Sequence, residues 1–99
     1  MNSQLREEEQ LLRDSVRRFL AGRCSVEQLA ALEDSSDGYD VAGWGQLGEM
    51  GVVALPVAEA LGGSGGTLRD AAAVAEELGR SAWPSPYLSN CSALLALQA

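Results

Sequence analysis

Between Trp44 and Pro86 helical phrases alternate with breakers, and this punctuation restricts the chain to short helices joined by turns. Trp44-Gly45-Gln46-Leu47-Gly48-Glu49-Met50-Gly51 reads as the end of a helix, Val52 to Leu55 as an apolar run closed by Pro56, and Gly62-Gly63-Ser64-Gly65-Gly66 as a flexible connection. A helix capped by Thr67, with Asp70 three residues on, then runs through Ala71, Ala72, Ala73 and Ala75 to Glu76-Glu77. Gly79 is its expected left-handed stop. Trp83-Pro84-Ser85-Pro86 forces another turn, with Ser85 and Pro86 as N-cap and first position of a last helix.

Upstream, Leu5, Leu12, Val16, Phe19 and Leu20 recur at helical spacing opposite Glu7, Glu8, Arg13, Asp14, Arg17 and Arg18. This predicts an amphipathic helix from Ser3 to about Ala21 whose charged face is solvated, with Ser3 as cap and Gly22 as stop. Glu9 with Arg13 and Asp14 with Arg18 stand at the spacing of stabilising ion pairs. Ser25-Val26-Glu27-Gln28 has the form of a capping box for a short helix through Leu29 and Leu32, which ends in the turn Asp34-Ser35-Ser36-Asp37-Gly38. That acidic turn lacks the alternate ligands and closing Glu of a calcium loop. Asp40 can cap a third helix with Val41, Trp44, Leu47 and Met50 on one face. Gly43, Gly45 and Gly48 inside it each cost roughly 1 kcal/mol relative to Ala, so they imply close approach by another element. Val52 to Leu55, β-branched and apolar before a proline, is expected to be extended and buried. Leu68, Ala71, Ala75 and Leu78, flanked by Ala72 and Val74, form the expected stripe of the fourth helix. The last helix carries Tyr87, Leu88, Cys91, Leu94, Leu95 and Leu97, is apolar almost all round, and meets no stop signal before Ala99. It reads as an element of a longer chain.

These elements predict an all-α fold, a small bundle of about five helices in one domain over residues 1–99. A chain this short builds only one modest core. Its net charge of -7, with only seven basic residues, excludes a surface that tracks nucleic-acid phosphates. It has no histidine, which removes His-based catalysis and the usual zinc spacings, and Cys24 and Cys91 read as reduced core thiols rather than metal ligands. The longest apolar run, Val52 to Leu61, is broken by Pro56 and Glu59 and cannot cross a membrane. Met1 leads into polar Asn2-Ser3-Gln4, without the basic and apolar regions of a secretory leader, so a cytoplasmic protein is expected. The glycine cluster fails as a phosphate loop, since Leu68 stands where G-x-G-x-x-G needs its last Gly and no Lys follows for a Walker loop.

Three phrases in order, Trp44-x-x-Leu47-Gly48-x-x-Gly51-x-x-x-Leu55-Pro56, Leu61-Gly62-Gly63-x-Gly65 and Glu76-Glu77-Leu78-Gly79-Arg80, resemble the N-terminal helical domain of flavin-dependent acyl-CoA dehydrogenases. Pro84-Ser85-Pro86-Tyr87-Leu88 is similar to the bacterial branch of that family, and the resemblance covers essentially the whole chain. It implies a parent several times longer, with a middle β-domain and a C-terminal helical bundle that hold FAD. It also implies dehydrogenation by a carboxylate base from the C-terminal part, which takes the α-proton while the β-hydride passes to the flavin. On that reading this stretch is truncated, carries no catalytic residue and no cofactor of its own, and works with an acyl-CoA thioester and the remaining domains or subunits of a homo- or hetero-oligomer. The family places the helix after Glu-Glu-Leu-Gly at the deep end of the acyl pocket, which makes Tyr87, Asn90, Cys91 and Leu94 the implied lining residues. Their spacing puts all four on one helical face, and the Tyr87 hydroxyl and Asn90 carboxamide each need a partner there. Two other readings stand beside it. Leu61-Gly62-Gly63-Ser64 resembles the phrase before the phosphopantetheine serine of peptidyl carriers, and an acidic helical chain of this size can also be a free-standing interaction module.

Overall fold

The computed structural model describes residues 3–55, 57–63 and 65–98, with side chains from Arg6 onward. The expected cap at Ser3 and the apolar position Leu5 lie outside the described side chains, and Pro56, Ser64 and the terminal Ala99 outside the described residues. Among the described residues five α-helices follow one another, α1 (Ser3–Leu20), α2 (Val26–Asp34), α3 (Val41–Glu49), α4 (Leu68–Arg80) and α5 (Tyr87–Gln98), with a 3-10 turn at Glu59–Leu61. Among the described residues there is no strand, as the all-α expectation requires.

The helix starts are set by the side chains that cap them. Ser25 Oγ accepts from Gln28 N–H at 3.1 Å while Gln28 Oε1 accepts from Ser25 N–H at 3.0 Å. Thr67 and Asp70 repeat the exchange at 3.1 and 2.9 Å, and Asp40 Oδ1 accepts from Gly43 N–H at 2.9 Å. Each exchange satisfies amide donors that a helix start otherwise leaves unpaired. Ser85 Oγ accepts from Tyr87 N–H as an N-cap does, and α5 spans Tyr87–Gln98.

α1 lies along α4, and α4 also meets α5. Val16, Leu20, Leu47, Val52, Leu55, Val74, Leu78, Trp83 and Tyr87 close into one core. Phe19 meets Trp83 edge to face at 5.5 Å between centroids, and Trp44 meets Tyr87 in the same way at 6.4 Å. Being packed on both sides, α4 buries more than one stripe: Ala73, Val74 and Glu77 join Ala71 and Leu78, whereas the expected stripe residue Leu68 is 69% exposed. Of the three glycines in α3, Gly43 alone is approached closely, since a Cβ there would meet the Asp40 carboxylate and lie 3.0 Å from Trp83 Cζ2.

Three expectations are corrected. The segment 52–55 is a turn rather than an extended run, because no strand among the described residues pairs with it and side chains of α5 take two of its carbonyls instead. Asp14 pairs with Arg17 at 3.8 Å and accepts from Gln10 at 2.9 Å, while Arg18 donates to Ser15, so the Asp14–Arg18 pair does not form. And α4 runs through Gly79 to Arg80, with Ala82, not Gly79, in the left-handed region at φ 54. Ala82 N–H bonds Gly79 C=O at 3.0 Å and Trp83 N–H bonds Leu78 C=O at 3.1 Å, the paired bonds of a Schellman stop. With Trp83 and Leu78 both buried, the left-handed turn sits three residues later than Gly79 would place it. A Cβ in this region costs roughly 1 kcal/mol or more. Ala82→Gly is therefore expected to raise stability by about 0.5 to 1 kcal/mol after the added freedom of the unfolded chain is counted, and a shift of the urea midpoint at unchanged slope measures it.

Candidate functional site

The polar ends of the α5 stripe meet the backbone of the chain's own preceding segment. Tyr87 Oη donates to Val52 C=O at 3.0 Å and Asn90 Nδ2 donates to Val53 C=O at 3.0 Å. Further along the helix, Gln98 Oε1 accepts from Ala58 N–H at 3.1 Å. Tyr87 and Cys91 are buried, Asn90 and Leu94 half-buried, so the four expected lining residues do share one face, and that face holds the turn at 52–55 against α5. Burial, with Cys91 close by, pushes the Tyr87 phenol well above its usual range, and burial likewise raises the Cys91 thiol. Both shifts favour the neutral forms, a phenol that donates its hydrogen bond and a protonated thiol. Tyr87→Phe leaves the Val52 carbonyl buried without this donor, and a loss of about 1 to 2 kcal/mol is expected in chemical denaturation.

A second surface of α5 is open. Between α4 and α5 runs a groove of about 190 Å³ lined by Leu68, Ala71, Ala72, Ala75, Leu88 and Leu95, with Tyr87, Cys91 and Ser92 beside them. Leu88 and Leu68 are 70% and 69% exposed, and no residue from Ser81 to Gln98 carries an ionic charge. Leu88, Ser92 and Leu95 follow at i, i+4 and i+7, a periodicity that was visible in the sequence. Their meeting with Ala72 and Ala75 of α4 depends on how the two helices pack, and no single helix pattern carries it.

The glycine cluster closes on itself. Gly62 N–H bonds Glu59 C=O, Gly63 N–H bonds Ala58 C=O, Gly65 N–H bonds Val57 C=O at 2.8 Å and Gly66 N–H bonds Leu55 C=O at 2.7 Å. A Cβ on Gly63 would collide with the Val57 backbone, and one on Gly66 with Leu55. These glycines allow the loop to fold tightly against 55–59, and the four described glycine amides are each bonded to a backbone carbonyl rather than turned to a phosphate. The expected flexible connection is thus a hydrogen-bonded loop.

Arg13, Arg17, Arg23 and Arg69 are committed as well. Arg13 and Arg17 reach from α1 to the buried Glu77 of α4, and Arg69 reaches back to Glu9 at 3.1 Å. Arg23 donates to Phe19 C=O at 2.8 Å, lies 4.5 Å from the Phe19 ring centroid, and contacts both Gln46 and Asp40. Arg13 and Arg17, expected on a solvated face, are instead drawn across to α4 by their long-range partner Glu77. Among the described residues no group of His, Cys, Asp and Glu is arranged to hold a metal ion, and no helix is long and apolar enough to cross a membrane.

Residues 6–98 match the acyl-CoA dehydrogenase N-terminal domain family. The chain is 45% identical over 94 residues, 94% of its length, to the acyl-CoA dehydrogenase IpdE2 of Mycobacterium tuberculosis. It is 42% identical over 92 residues, 92% of its length, to the acyl-CoA dehydrogenase IpdE2 of Mycolicibacterium smegmatis. In both comparisons it spans 30% of the relative. No solved structure matches the chain significantly.

Proposed function

This chain belongs to the acyl-CoA dehydrogenase family, as a helical N-terminal domain, and from that premise we propose that it serves a bacterial flavin-dependent enzyme that desaturates acyl-CoA thioesters. Its part is to contribute to the acyl pocket and to dock the remaining domains or subunits of a cytoplasmic oligomer. The observation that supports this reading is the uncharged α5, pinned on one face by Tyr87 and Asn90 and open on the other along an apolar groove. Within the α5 stripe, Cys91 and Leu94 are assigned to contact the acyl group. Tyr87 and Asn90, whose donors are engaged by Val52 and Val53, are assigned to set the depth of the helix behind them.

The engaged polar groups among the described residues support a flavin site elsewhere in the enzyme. The glycine amides that would suit its diphosphate are bonded within their own loop, and Arg13, Arg17, Arg23 and Arg69 are engaged with groups of this chain. The proposal therefore assigns FAD and the proton-abstracting carboxylate to regions of the enzyme outside this chain, and no redox step is given to residues here.

A chimera tests the reading: residues 6–98 replace the matching segment of the Mycobacterium tuberculosis relative, and acyl-CoA-dependent bleaching of the flavin absorbance is followed. Retained bleaching is the expected result. A folded, flavin-loaded chimera that no acyl-CoA bleaches, beside an active parent, would overturn the assignment.

A further inference from the structure

We draw no further inference here: the strongest candidate, the open groove between α4 and α5 rimmed by Leu68, Leu88 and Leu95, belongs to the surface already assigned to acyl and domain contacts, and nothing in the structure shows what covers it.

Discussion

Glu77→Ala is expected to cost about 2 to 3 kcal/mol of folding stability. Glu77 is only 2% exposed, yet its carboxylate accepts from Arg17 at 2.9 and 2.8 Å and from Arg13 at 3.4 Å, with Arg80 at 3.8 Å. Arg13 is held in turn by Glu76 at 2.6 Å and Glu9 at 3.4 Å. Removing the carboxylate leaves a cavity between α1 and α4 and takes from two guanidinium groups their shared partner. The arginine ends keep contact with water, Arg17 being 48% exposed, which places the cost below that of a fully buried pair broken on one side. Glu77→Gln fills the cavity without the charge and should recover part of the loss.

The same carboxylate gives stability a pH dependence. Hydrogen bonds from Arg17 hold Glu77 below its ordinary value of 4.5, and Arg69 and Arg13 hold Glu9 below it as well. A carboxylate whose folded-state pKa is depressed contributes stability that is present above the unfolded value and lost as pH falls through the folded one. Unfolding free energy should therefore be level near neutrality and fall as the pH drops below about 4.5, with a visibly shallower fall in Glu77→Gln. Urea titrations of both proteins between neutral and acid pH measure this. Parallel acid limbs for the two would mean that Glu77 does not carry the dependence.

How much of this was legible depends on range. The caps at Ser25, Asp40 and Thr67 are local chemistry, each formed with a residue three positions on, and the sequence displays them completely. The pairing of Glu77 with Arg17 joins residues 60 positions apart, and nothing in the acidic pair Glu76-Glu77 marks which carboxylate turns inward. The stop of α4 was misplaced for a related reason. Glycine tolerates a left-handed position but does not create one, and here the burial of Trp83 and Leu78 chose Ala82 instead. The face shared by Tyr87, Asn90, Cys91 and Leu94 followed from helical spacing alone. That the hydroxyl and carboxamide would be met by the carbonyls of Val52 and Val53 could not follow, because a turn at 52–55 replaced the extended run.

If the proposed function holds, Cys91→Trp in the full-length enzyme is expected to shorten the preferred acyl group while leaving turnover of short thioesters nearly intact. Cys91 lies beside a groove of about 190 Å³, and an indole there would take the space of several methylenes. At about 0.8 kcal/mol per buried CH₂, three or four displaced methylenes amount to about 2 to 3 kcal/mol, or on the order of a hundredfold in kcat/KM for a long thioester. A short acyl group ends before the obstruction and keeps its contacts. The substitution also crowds a buried position, and overpacking costs about 1 to 3 kcal/mol of stability, so thermal melting is followed in parallel. Core damage acts on every substrate alike, whereas a filled pocket discriminates by length, and the ratio of long-chain to short-chain kcat/KM separates the two. Leu94→Ala supplies the opposite change at the half-buried position one turn along, and should relax the length limit rather than tighten it. Equal loss on short and long thioesters in Cys91→Trp, together with no change of length preference in Leu94→Ala, would remove this face of α5 from the acyl pocket and leave it as the surface that holds 52–55 in place.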